Sequence, residues 1–136
     1  MPDYRMQPPG QTIKGKQMKR YEFDPVERAA LECSPIPQAV YQRVGKWIEP
    51  LVISDGMIDC FGLPEREEAV AWIRRDLYAN VHPDDASRVA NAGLAFADGK
   101  DDYNIIYRNR RHDEYRIIHA KGRHETRDGI QLAWVW

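Results

Sequence analysis

Apolar and polar positions change period several times along this chain, and each change marks an element. From Asp24 the spacing is helical: Asp24 suits an N-cap, Pro25 the first helical position, and Glu27 completes a capping box. The helix runs through Ala29, Ala30 and Leu31 to about Cys33, where Ser34-Pro35-Ile36-Pro37 stops it. Gln38 to Val44 then alternates, with Ala39, Tyr41 and Arg43 on one face. Gly45-Lys46 is a turn, and Trp47 to Ile53 a second strand. Pro50 has no N–H for a ladder, which predicts an edge position or a bulge there.

Ser54-Asp55-Gly56 breaks this strand and leads to a short helix, Met57 to Phe61, closed by Gly62. A helical region from Glu65 to about Tyr78 places Ala69, Val70, Trp72, Ile73 and Leu77 at helical spacing. His82-Pro83-Asp84-Asp85 opens a longer helix, with Val89, Ala92, Gly93 and Phe96 as its apolar side and its end near Gly99. Three strands finish the chain: Tyr103 to Arg110, Tyr115 to Glu125, and Ile130 to Trp136. His112-Asp113 and Arg127-Asp128-Gly129 are the turns between them. The order predicts an α+β domain: a five-stranded antiparallel sheet, short helices inserted after the second strand, and an N-terminal helix, with helices over one sheet face. Residues 1–23 hold Pro2, Pro8, Pro9, Gly10 and Gly15 with little apolar periodicity. They are expected to be a flexible lead-in, leaving 24–136 as the domain.

Composition adds exclusions. The 136 residues carry 20 Lys plus Arg against 21 Asp plus Glu, a net charge of −1, which supplies no global pull toward nucleic acid or an anionic membrane. Cys33 and Cys60 are too few for a disulfide scaffold and are expected to act as small core hydrophobes. No signal segment or spanning apolar run is seen, so a cytoplasmic location is the expectation.

The order of elements and three local pieces together resemble the PAS domain, a widespread bacterial sensory fold. The pieces are His82-Pro83-Asp84-Asp85 at the long helix, Tyr107-Arg108 at the end of the next strand, and Ile117 to Gly122 (IIHAKG) in the strand after it. A finer likeness, to the PAS domains at the front of GGDEF-type diguanylate cyclase proteins, is carried by Ile36 to Tyr41 (IPQAVY), Val52 to Gly62 (VISDGMIDCFG) and Leu132 to Trp136 (LAWVW). The resemblance covers about residues 30–136. It implies a sensory or regulatory module, without catalytic residues of its own, that binds a small ligand or mediates homodimerisation. It further implies a covalently linked C-terminal effector for cyclic-di-GMP synthesis, expected beyond Trp136.

Each candidate motif also has a plainer reading. A histidine beside two carboxylates suggests a small metal-dependent hydrolase using His82, Asp84 and Asp85. Adjacent helical positions do not face each other, however, and acidic residues in a first turn are favoured by the helix dipole. Haem-binding relatives carry an axial histidine within the long helix, and no histidine lies between Pro83 and Gly99; His112, His119 and His124 fall later. Light-sensing flavin relatives use an Asn-Cys-Arg-Phe-Leu run, which is missing, so both cofactors are disfavoured. The aromatic residues are the remaining signal. Tyr41, Trp72, Tyr78, Tyr107 and Trp134 are the candidate pocket lining, against the simpler reading that these rings fill a close-packed core. A ligand-free interaction module is the corresponding alternative. Trp134 and Trp136 alternate with Val135 and are expected to share one sheet face, which the helix from Asp24 to Cys33 could cover.

Overall fold

The computed structural model describes residues 19–45 and 48–136 in full, and the backbone at 12–13, 16–17 and 47. Most of the expected lead-in therefore lies outside the described residues, apart from a two-stranded ladder of β1 (Thr12–Ile13) and β2 (Lys16–Gln17). The domain then follows as α1 (Pro25–Glu32), β3 (Ala39–Val44), β4 (Trp47–Ile53), α2 (Asp55–Cys60), α3 (Arg66–Asp76), α4 (Pro83–Ala97), β5 (Tyr103–Arg111), β6 (Glu114–Arg127) and β7 (Ile130–Val135). The five long strands form one antiparallel sheet in the order β4-β3-β7-β6-β5. It is the α+β architecture expected from the periodicity.

Local chemistry explains the boundaries. Asp24 caps α1, its carboxylate accepting from the N–H groups of Val26 and Glu27. Ser54 caps α2 and does more, since its hydroxyl also accepts from the Gln38 N–H and donates to the Ile36 carbonyl at 2.6 Å. One buried side chain thus ties the end of β4 to the entry of β3. Pro50 has both properties that the sequence offered as alternatives. It lies on an edge strand, and the register passes from Val40↔Val52 to Tyr41↔Pro50, leaving Leu51 as the extra residue of a bulge. At the β6–β7 turn, Asp128 and Gly129 both have positive φ (51° and 75°), as a tight two-residue hairpin turn requires.

The sheet is covered on both faces. On the inner face, Ala39, Tyr41 and Ile53 pack with Met57, Ala69, Trp72 and Ile73 of α2 and α3. Val89 of α4 packs with Val81, Ile105 and Ala120 further along the same face. On the outer face, Val40, Leu51, Val52 and Leu132 are sealed by Phe23, with Tyr21, Leu31 and Trp134 around them. Residues 19–23, the end of the expected lead-in, are therefore part of this packing. α1 lies on the outer side, so the helices divide between the two faces instead of sharing one. Leu132 is wholly buried, which contributes roughly 1.5–3 kcal/mol. Cys33, expected in the core, is exposed at the C-cap of α1.

The far edge of the sheet, β5, would leave unpaired backbone groups. Residues 80–85 occupy those at Arg108 and Arg110. The Arg110 N–H donates to the Asn80 carbonyl (2.7 Å) and the His82 N–H to the Arg108 carbonyl (2.9 Å). The next outward N–H, that of Arg108, donates to the buried carboxylate of Asp85 at 2.9 Å. The Arg108 guanidinium grips the same carboxylate through Nε and Nη2, both at 2.9 Å. Those side-chain bonds, with the backbone one, hold the Asp85 carboxyl well below the usual carboxylate range. A carboxyl depressed in the folded state contributes stability above its unfolded value of about 4 and loses it as pH falls through the folded value. Asp85→Asn should therefore lower the thermal midpoint clearly at pH 7. The gap from wild type should shrink as the pH is taken below about 4, measured by circular dichroism melts across pH.

Candidate functional site

The inner packing is incomplete between its two parts, leaving a cavity of about 490 Å³ between the sheet and α2–α4. Its walls come from every inner element. Tyr41 stands on β3, and Tyr103 and Tyr107 stand on one face of β5 because they are four strand positions apart. Trp72 projects from α3, with Phe61 after α2 at 5.3 Å between ring centroids. Phe96 on α4 stacks against Tyr103 at 5.5 Å and against His124 at 4.3 Å.

Polar groups are few. Burial, and secondarily the neighbouring phenols, push the hydroxyl pKa of Tyr41 and of Tyr103 well above the ordinary value. For Tyr107 burial comes first and Cys60 second, in the same direction. All three stay neutral, able to donate or accept a hydrogen bond. Burial also pushes the Cys60 thiol up. His124 donates through Nε2 to the Phe96 carbonyl at 2.7 Å, since a carbonyl can only accept. Arg43 at the margin is ion-paired with Asp98. The indole N–H of Trp72 is buried without a hydrogen-bond partner among the described residues.

Four of the five aromatic candidates, Tyr41, Trp72, Tyr78 and Tyr107, line this cavity. Trp134 does not, and its place needs correcting. In β7, Ala133 and Val135 face the cavity, so Leu132 and Trp134 face outward. Trp134 packs edge-on against Phe23 (6.1 Å), and its indole N–H donates to Glu125 at 3.1 Å. Trp136 borders the cavity from beyond the end of β7, where its backbone pairs with Lys121. Tyr103 and Phe96 were not among the five. The same-face spacing of Tyr103 and Tyr107 was the signal that could have found the former.

The hydrolase constellation does not assemble. Both oxygens of Asp85 are engaged by Arg108, and Arg88 lies 3.5 Å away. His82 caps α4 instead, its Nδ1 accepting from the Asp84 N–H at 3.1 Å, while Asp84 is exposed. His119 pairs with Asn104 at 2.8 Å. Among the described residues no group of three His, Cys, Asp or Glu side chains could hold a metal ion.

No protein-family profile matches the sequence, and no curated relative does either. Among solved structures, the chain is similar to a PAS domain from a two-component sensor histidine kinase. The TM-score is 0.52 at 12% identity, over 81% of this chain and 89% of that one. The fold is that of a PAS domain. A sensory box histidine kinase/response regulator from Burkholderia thailandensis E264 is a looser match, with a TM-score of 0.44 at 17% identity over 82% of this chain and 80% of that one.

One wall of this cavity depends on a glycine. A Cβ at Gly93 in α4 would overlap the Tyr78 hydroxyl, with the rest of the Tyr78 ring no nearer than 3.4 Å. Gly93→Ala improves helix propensity by roughly 0.5–1 kcal/mol, but the clash should make it net destabilising by about 1–3 kcal/mol in urea unfolding. In a Tyr78→Phe background the same change should be neutral or stabilising. Equal costs in both backgrounds would remove the hydroxyl as the cause.

Proposed function

We propose that this chain is a sensory PAS module. Occupancy of its cavity by a small molecule shifts the packing of α2–α4 on the sheet, and that shift regulates a covalently linked effector. The cavity is the observation that carries this reading. Its volume lies within the range of about 300–1,000 Å³ usual for small-molecule sites, and its walls are mostly apolar with a few polar groups. A core serving only to hold a fold is close-packed.

We assign the effector to the GGDEF diguanylate cyclase type. The support is the His82 to Asp85 opening of α4 and the IPQAVY, VISDGMIDCFG and LAWVW segments. Self-association through α1 is part of the proposal: no residue of that helix is buried, and Val26 is 77% exposed. No helix among the described residues is long and apolar enough to cross a membrane.

The test uses the natural full-length protein. Ala133 faces the cavity from β7 beside Tyr41. Ala133→Leu partly fills the space and should change the rate of cyclic-di-GMP formation from GTP severalfold, with sedimentation confirming a dimer. An unchanged rate would break the link between cavity and output, and absence of any cyclase activity would remove the effector assignment.

A further inference from the structure

We propose that the cavity selects an uncharged aromatic compound bearing a hydrogen-bond acceptor, such as an aryl ketone, and rejects carboxylates and ammonium ions of the same shape. This rests on the cavity being a ligand site, and it follows from what the walls contain.

Among the described residues no Asp, Glu or Lys lines the space, and the one arginine that does, Arg43, is already neutralised by Asp98. The two lining histidines are engaged, His124 by the Phe96 carbonyl and His119 by Asn104. An ion entering would lose its hydration and meet no opposite charge, the costliest form of burial. Neutral solutes meet a different wall. Flat apolar faces are offered by the Phe61–Trp72 and Phe96–Tyr103 pairs, which suit offset stacking.

Hydrogen bonding sets the second requirement. Tyr41, Tyr103 and Tyr107 line the space with phenols, which are protonated at neutral pH and which burial pushes further from ionising, so the wall can donate without carrying charge. An acceptor on the guest would meet these hydroxyls, whereas a purely hydrocarbon guest would offer them none. Volume permits the class: about 490 Å³ accommodates a two-ring compound.

The experiment is isothermal titration at pH 7 with four naphthalenes of one shape: 2-acetylnaphthalene, 2-ethylnaphthalene, 2-naphthoate and 2-naphthylmethylammonium. The ketone should bind at least tenfold more tightly than either ion. In Tyr107→Phe, which removes the hydroxyl and keeps the ring, the ketone should lose roughly two- to tenfold in affinity while 2-ethylnaphthalene is unchanged. Should Tyr107→Phe fail to fold, Tyr103→Phe takes its place with the same expectation. Either ion binding as tightly as the ketone, or a ketone affinity untouched by the variant, overturns the selectivity while leaving the cavity as a ligand site. Failure of all four probes to bind overturns both.

Discussion

The geometry of the inner face depends on one buried carboxylate. Asp85 sits in the first turn of α4 and binds three donors of a single residue on β5, its backbone N–H and two guanidinium nitrogens. The contact does two jobs at once. It extends the pairing of an edge strand whose Arg110 N–H and Arg108 carbonyl are met by Asn80 and His82. It also fixes the start of α4 relative to the sheet, so that Val89 reaches the floor of the fold while Gly93 and Phe96 border open space. Removing the arginine would leave a buried carboxylate without its partner, which is why such a pair resists being half-broken.

The two faces of the sheet do different work. The inner one is partly open and aromatic. Phe23, Tyr21 and α1 close the outer one, and there Arg127 gathers the N-terminal segment. Its guanidinium lies 5.3 to 6.0 Å from the ring centroids of Trp134, Phe23 and Tyr21, and it pairs with Glu27 at 2.8 Å. β7 is the wall that both faces share. Ala133 borders the cavity, and its neighbours Leu132 and Trp134 carry the outer packing. Under the proposed function, an occupant that displaced Ala133 would push on the layer that holds α1, with one strand between them.

Much of this was legible from residue order. The Pro25 and Pro83 helix starts, the turn glycines, and the edge or bulge at Pro50 are local effects, and local effects are written in local sequence. What escaped depends on distance or on parity. Asp85 read as a dipole-favoured first-turn acid, because nothing nearby reveals an arginine 23 positions later. Glu27 read as half of a capping box, but it carries the ion pair to Arg127. Alternation correctly separated Trp134 from Val135 without saying which of the two faced the helices. Cys33 looked apolar by type, yet it ends a helix that lies on the surface.

Amide hydrogen exchange tests the central claim most directly, comparing wild type with Asp85→Ala. The Arg108 N–H points away from β6 and is held by Asp85 alone, so in wild type it should be protected like the amides inside the sheet. In Asp85→Ala its protection and that of α4 should fall together, while β3, β4 and β7 stay protected. Protection of Arg108 and α4 equal in the two proteins would contradict the view that this carboxylate holds the helix over the cavity.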